Sequence, residues 1–162
     1  MPKFQRLIHE AGKQKGKTMW NIIRSPEDIR LFMDKMCAFH DSCIKEIQYV
    51  SGAYVDDHLS MHPVNDCRVL RVVIQRQSEK NSMIEMEFCG LKEFNLRPLD
   101  ETFTCEISGA VLTVKDGNFC FCDCDSLSDA EDAGIFVRAE TLQWRPVENR
   151  MGEKEFYASG AQ

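Results

Sequence analysis

The chain of 162 residues is long enough to form one domain with its own core, without disulfides or metals to hold it. Apolar residues make up 43% and charged residues 28%, which excludes a disordered chain, and no apolar run approaches the ~20 residues of a membrane span. The net charge of −6 divides into +4 for residues 1–17 and −10 for the rest, which makes nucleic acid an unlikely partner and favours a basic protein.

The first segment, residues 1–24, is predicted to be a basic N-terminal arm. It begins with positive charge but lacks the apolar run and small-residue cleavage site of a secretory signal. We therefore expect a cytoplasmic protein of a bacterium-like cell that does not associate with membranes. Because thiols are kept reduced in that compartment, we expect the eight cysteines to be free rather than paired.

A strong helix start follows the arm. Ser25 is placed to be the N-cap, Pro26 occupies the first helical position, and Glu27 and Asp28 supply negative charge in the first turn. The sequence predicts a helix over about residues 26–39. The apolar residues expected on its core-facing side are Ile29, Phe32, Met33 and Met36.

From Cys43 onward, apolar residues recur at every second position, as in half-buried β-strands. The alternating sets include Leu70-Val72-Ile74, Ile84-Met86-Phe88, Phe94-Leu96, Phe103-Cys105-Ile107, Leu112-Val114 and Ile135-Val137-Ala139. Short gaps with turn residues favour antiparallel connections. We predict an α+β, mainly β fold: an N-terminal helix packed on a seven- or eight-stranded antiparallel meander, either a curved sheet or a small sandwich.

Three units follow from this pattern. Residues 25–147 are predicted to form a single helix-plus-antiparallel-sheet domain behind the arm of residues 1–24. Residues 148–162 form a polar C-terminal tail, which we expect Phe156 and Tyr157 to anchor.

The dipeptide Asp116-Gly117 predicts a β-hairpin, because both residues tolerate the positive φ of a type I′ turn. A two-residue turn would place Val114 opposite Phe119. A three-residue turn starting at Lys115 would shift this register by one and remains the alternative.

Cysteines occupy every second position of the segment that follows, GNFCFCDCD. In a regular strand Cys120, Cys122 and Cys124 share a face, which separates their sulfurs too widely for one zinc ion or for a disulfide between neighbours. We expect these thiols to behave as small buried hydrophobic residues.

A loop rich in carboxylates and histidines, VDDHLSMHPVND, spans residues 55–66. Such groups ligate metals, but the spacing matches no recognised metal motif, and a solvated hairpin loop is the simpler interpretation. We therefore predict neither a metal nor a cofactor. The residues that would ligate a metal are Asp56, His58, His62, Cys120 and Cys122.

Three segments, FHDSCIKEIQYVSG, RVLRVVIQRQ and IEMEFCGLKEFNLRP, resemble small bacterial β-rich proteins of unknown function. More loosely, they are similar to the immunity-protein families of polymorphic toxin systems, in which a histidine-aspartate entry precedes a strand. The resemblance covers about residues 39–97 and attaches no catalytic residue to them. What it implies is a partner-binding role.

Two functions are consistent with these features. The first is a non-catalytic, immunity-like module of the bacterial cytosol that binds a basic protein through an acidic sheet face. Its predicted contact residues are Glu85, Glu87 and Glu93, together with Asp100. The alternative is a small metal-dependent or ligand-binding enzyme that uses the 56–66 loop or the 120–124 cysteines. No nucleophile elbow, phosphate-binding loop or zincin motif is present, which disfavours an enzyme.

Overall fold

The structure is a computed structural model that describes residues 19–80, 82–97, 106–131 and 133–158. Residues 1–18, which make up most of the predicted basic arm, and Asp100 of the predicted acidic surface lie outside these ranges.

The described chain is mainly β, with one α-helix, and confirms the predicted α+β class. The elements are β1 Asn21–Ile23, α1 Pro26–Lys35, β2 Ser42–Val50, β3 Tyr54–Val55, β4 Met61–His62, β5 Val69–Arg76, β6 Met83–Leu96, β7 Glu106–Ile107, β8 Val111–Lys115, β9 Asn118–Cys122 and β10 Ile135–Val147. Within the described ranges, no helix is long and apolar enough to cross a membrane.

The main sheet is antiparallel throughout its described pairings and runs in the order β7-β2-β5-β6-β10-β9-β8. Strand β1 pairs with the second half of β10, beyond the part that pairs with β9. Strands β3 and β4 form a separate two-stranded sheet in the connection between β2 and β5. The strand that follows β6 along the chain, β7, does not pair with β6: it lies at the far edge of the sheet beside β2.

The sheet curls into a half-barrel, the curved alternative of the two predicted architectures. The register between the long strands β6 and β10 shifts between Arg138 and Ala139. The extra residue lies on β6, between Leu91 and Glu93, and a bulge of this kind bends and twists the strand. Gly90, just beyond it, has φ +66°, and a Cβ there would stand 2.6 Å from the Glu140 carboxylate, so this position favours glycine.

Helix α1 begins as predicted and ends earlier. Ser25 Oγ accepts the Asp28 N–H at 3.1 Å, and the Asp28 carboxylate accepts the Ser25 N–H at 2.9 Å, which completes a capping box. The predicted end near residue 39 is wrong: the helix stops at Lys35, and Cys37, Ala38 and Phe39 have positive φ values of 51°, 47° and 61°. This left-handed turn places the fully buried Phe39 ring against Phe32 and Phe121.

One sheet face and α1 enclose the main hydrophobic core. Alternate residues of β5, β6, β9 and β10 point into it, as the period of two predicted. The core members include Phe32, Met36, Leu70, Val72, Ile74, Met86, Phe88, Phe121, Val137 and Trp144.

The Asp116-Gly117 hairpin has the two-residue turn. Both residues have positive φ, 50° and 72°, and Val114 pairs with Phe119. The type I′ prediction is confirmed, and the three-residue alternative does not occur.

The N-terminal end of the domain differs from the predicted boundary. Residues 21–23, assigned to the basic arm, form β1, and Ile23 is buried in the core. At the other end β10 stops at Val147, as predicted. Phe156 and Tyr157 pack against Val73, Met83 and Val147, so the expectation that these two aromatic residues anchor the tail is confirmed.

Candidate functional site

The predicted acidic surface is largely buried. Glu85 is 2% exposed and Glu87 is 8% exposed, so the expectation that they stand on a solvent-exposed face is wrong. Strand pairing is the reason, because β10 places Arg145 opposite Glu85 and β5 places Arg71 opposite Glu87. Each carboxylate therefore faces a cation of the neighbouring strand.

These side chains form a connected polar network on the sheet face opposite α1. We call this the polar face and define it by Arg71, Glu85, Glu87, Gln143 and Arg145. Arg145 Nε donates to Glu85 Oε2 at 2.7 Å, and Arg71 Nε donates to Glu87 Oε2 at 2.7 Å. Gln143 Nε2 donates to Glu87 Oε1 at 2.6 Å. A buried charge is costly unless it is paired and hydrogen-bonded, and this network pairs the carboxylates of Glu85 and Glu87. We therefore assign the network to the stability of the fold.

Glu93 differs from Glu85 and Glu87. Its side chain is 52% exposed and lies 3.3 Å from Arg138 Nη2 in a surface ion pair. Of the predicted contact carboxylates that the structure describes, Glu93 is the exposed one.

The C-terminal strap, residues 148–158, lies across part of the polar face. The Glu46 carboxylate accepts the main-chain N–H groups of Phe156 and Tyr157, the latter at 2.9 Å. The Tyr157 hydroxyl donates to Glu85 Oε1 at 3.3 Å. Burial and the nearby Glu85 carboxylate raise the pKa of Tyr157 far above its ordinary value, since both disfavour the phenolate.

A second surface differs sharply from the polar face. The hairpin arm, residues 51–66, projects between β2 and β5 and carries β3 and β4. Leu59 is 86% exposed and Met61 is 73% exposed. Exposed large apolar residues of the arm and the adjoining end of β2 are Tyr49, Val50, Tyr54, Val55, Leu59, Met61 and Val64. The concentration of such residues in one short segment of the chain makes the arm a candidate interaction surface.

The tip of the hairpin arm is organised by Asp56. Its Oδ1 accepts the N–H groups of His58 and Ser60 at 3.0 and 2.9 Å, and its Oδ2 lies 3.0 Å from His62 Nε2. These bonds, first that from His62, lower the pKa of Asp56 because they favour the charged carboxylate. The carboxylate thereby holds both sides of the loop together.

The rest of the hairpin arm is equally well defined. The Tyr54 and His62 rings stack with centroids 4.5 Å apart and an interplanar angle of 11°. At the base, the Cys67 N–H donates to the Ser51 carbonyl at 3.0 Å. Gly52 has φ +100°, and a Cβ there would lie 2.1 Å from Asp66 Oδ1, so the base also depends on glycine.

The candidate metal ligands are only partly brought together. Asp56 and His62 contact each other, whereas His58 contributes its backbone N–H to Asp56. Cys120 and Cys122 lie on β9 in the main sheet. Among the residues that the structure describes, no three histidine, cysteine or carboxylate side chains converge as a metal site would require.

The cysteines depart from expectation at one point. Cys122 and Cys124 form a disulfide with their Cα atoms 5.3 Å apart, so the prediction that these two are free thiols is wrong. β9 ends at Cys122, and the regular alternation that would keep the sulfurs apart ends with it. Cys120 is a buried free thiol, as expected, and its burial raises the pKa of the thiol.

No protein-family model matches the chain, and no curated protein or solved structure is significantly similar to it. The candidate site is therefore defined by geometry. Sequence reasoning found Asp56 and His62 as a polar pair but missed the exposed apolar residues around them. The sequence signal that could have pointed to these apolar residues is the absence of lysine and arginine between Tyr49 and Cys67.

Proposed function

We propose that this protein is a non-catalytic protein-binding module and that the hairpin arm is its contact surface. The observation that carries the proposal is the concentration of exposed apolar side chains on a hairpin that forms its own small sheet. Tyrosine and methionine, which occur here at Tyr54 and Met61, are enriched in the cores of protein interfaces.

Internal contacts of the arm support the proposal because they lower the entropic cost of binding. The Asp56 hydrogen bonds, the Tyr54–His62 stack and the hydrogen bond to the Ser51 carbonyl connect the two sides of the arm. A surface that is ordered before it meets its partner loses less conformational freedom on association.

Charge favours a basic partner. The segment from Tyr49 to Cys67 contains Asp56, Asp57 and Asp66 and has no lysine or arginine. The partner we propose is a protein whose surface combines apolar side chains with lysine or arginine. Electrostatic attraction of this kind accelerates encounter and weakens as salt is added.

The biological setting we propose is that of an immunity-like protein in a bacterial cytosol. The resemblance of residues 39–97 to such families supports this setting; the segments that carry it lie on either side of residues 53–67. Immunity of this kind requires only tight binding, which agrees with a resemblance that attaches no catalytic residue.

Affinity capture with matched variants tests the proposal. The arm variant Leu59→Ser/Met61→Ser removes apolar area without changing charge. The control Ile22→Ser/Leu31→Ser changes two side chains that are also exposed, at 46% and 52%, but lie elsewhere. We expect the wild type and the control to retain the same protein from lysate, and the arm variant to lose at least 90% of it.

Two further variants separate the surfaces. Asp57→Lys should reduce capture by reversing charge on the arm, whereas Glu93→Lys, which reverses the exposed carboxylate of the sheet, should leave capture unchanged. Loss of capture with Glu93→Lys and full capture with the arm variant would reject the hairpin arm in favour of the sheet. The captured protein should be released as salt is raised toward 1 M, where the screening length is about 3 Å.

A further inference from the structure

The C-terminal strap contacts the sheet as a bound peptide would. Within the described residues no strand or helix follows β10, and the strap runs over the polar face in irregular conformation. Lys45 Nζ and Gln75 Nε2 donate to the Gly152 carbonyl at 2.7 and 3.1 Å. Side chains of the sheet thus hold main-chain groups of the strap at both Gly152 and Phe156-Tyr157.

The contacts at Phe156 and Tyr157 amount to a recognition pattern. One carboxylate, Glu46, accepts two consecutive main-chain N–H groups, which selects a bent backbone, because consecutive N–H groups of an extended chain point to opposite sides. A second carboxylate, Glu85, accepts the hydroxyl of a tyrosine. Between them lies an apolar floor, which consists of Val73, Met83 and Val147.

The polar face does not need the strap to satisfy its buried charges. Glu85 keeps Arg145 through its Oε2 atom, and Glu87 keeps Arg71 and Gln143. Departure of the strap would therefore leave no buried carboxylate without a cation. The largest penalty for uncovering a charged surface, an unpaired buried charge, is absent here.

We propose that Glu46, Glu85 and the apolar floor form a peptide-binding site that the strap occupies in cis. Its external ligand is a short bent segment of another protein with an apolar or aromatic residue followed by tyrosine. The strap is an internal competitor, so the site binds such a segment when the strap is displaced. This site is separate from the hairpin arm and does not rest on it.

Competition from the strap determines how much more weakly the wild type should bind an external peptide. A ligand that binds only the open form has its affinity reduced by the fraction of molecules that are open. If the strap is docked in about nine molecules of ten, an external peptide binds the wild type about tenfold more weakly than a chain whose strap cannot dock.

The test uses the full chain and a fluorescein-labelled peptide with the sequence of residues 150–158. The variant Phe156→Ala/Tyr157→Ala removes the two side chains that pack on the floor and so weakens docking of the strap, while the floor itself stays intact. We expect fluorescence anisotropy to show saturable binding to this variant and at least tenfold weaker binding to the wild type. Adding Glu46→Gln to the double variant should abolish binding. A folded double variant that ignores the peptide, or that binds it equally well with Glu46→Gln, would overturn the proposal.

A second measurement needs no variant. Hydrogen exchange of the wild type should show the Phe156 and Tyr157 amides exchanging through a local opening, at urea concentrations where the amides of β6 remain protected. Exchange of the strap amides only together with those of β6 would make the strap an integral part of the fold and would overturn the proposal.

Discussion

Replacing Glu85 with alanine tests whether the polar face is part of the fold. Glu85 is 2% exposed, and its removal leaves Arg145, whose side chain is only 22% exposed, without its carboxylate. Breaking a buried ion pair from one side costs about 3–5 kcal/mol. Because Arg145 retains some contact with water, we expect the lower end, a loss of about 3 kcal/mol in the free energy of unfolding.

Urea denaturation followed by circular dichroism measures this loss, and Glu93→Ala is the matched control. Glu93 also lies on β6 and faces an arginine of β10, but both side chains are exposed, at 52% and 40% for Glu93 and Arg138. We expect this control to lose less than about 1 kcal/mol. Equal losses in the two variants would refute the assignment of Glu85 to a structural role.

A double replacement separates the effect of losing the ion pair from the effect of leaving one charge without a partner. Glu85→Met/Arg145→Met removes both charges and keeps side-chain volume on the polar face. Since apolar replacement of a whole buried pair is often neutral, we expect its stability to lie within about 1 kcal/mol of the wild type. A double variant as unstable as Glu85→Ala would show that the pair itself, rather than an unpaired arginine, accounts for the loss.

Three other predictions follow from the site. Hydrogen bonds in the folded arm lower the pKa of Asp56, so this carboxylate stabilises the arm above its unfolded pKa of about 4. That contribution disappears as pH falls through the lower pKa of the folded arm. In NMR the Ser60 amide resonance should titrate over this range in the wild type but not in Asp56→Asn. The pKa of Tyr157 is raised, so its contribution to strap docking is complete below about pH 10 and declines as pH rises further. The phenolate absorbance that the wild type shows and Tyr157→Phe lacks should therefore titrate above about pH 10. Peptide mapping after alkylation should label Cys122 and Cys124 only when the protein is reduced first, whereas labelling of both without reductant would contradict the disulfide.

Local patterns predicted the scaffold well where short-range physics determines the structure. The period-two alternation identified most of the strands, although β6 joins the sets Ile84-Met86-Phe88 and Phe94-Leu96 in one continuous strand. Asp116-Gly117 identified a hairpin, which has the first of the two registers considered. Ser25 and Asp28 identified the helix start, because a capping box involves residues only three positions apart. The helix end was missed since nothing in Cys37-Ala38-Phe39 predicts left-handed backbone. We attribute that conformation to the burial of Phe39 in the core.

The environment of the charged residues could not be predicted, because it depends on which strands are neighbours. Glu85 and Arg145 are 60 positions apart, and only the β6–β10 register makes them partners. Alternation with apolar residues placed Glu85 and Glu87 on the opposite face from the core, which was correct. It could not reveal that cross-strand arginines and the strap cover that face. The carboxylates and histidines of the hairpin arm predict a solvated loop, and nothing in the local pattern shows that Tyr54, Leu59 and Met61 stay exposed.

Site-specific photo-crosslinking in cells tests most directly whether the hairpin arm is the contact surface. A photoreactive amino acid placed at position 59, where Leu59 is 86% exposed, should crosslink to a single protein. The same amino acid at position 31 of α1 should give no such product, and Asp57→Lys should reduce the product from position 59. Equal crosslinking from both positions, or a product from position 59 that Asp57→Lys does not diminish, would contradict the account.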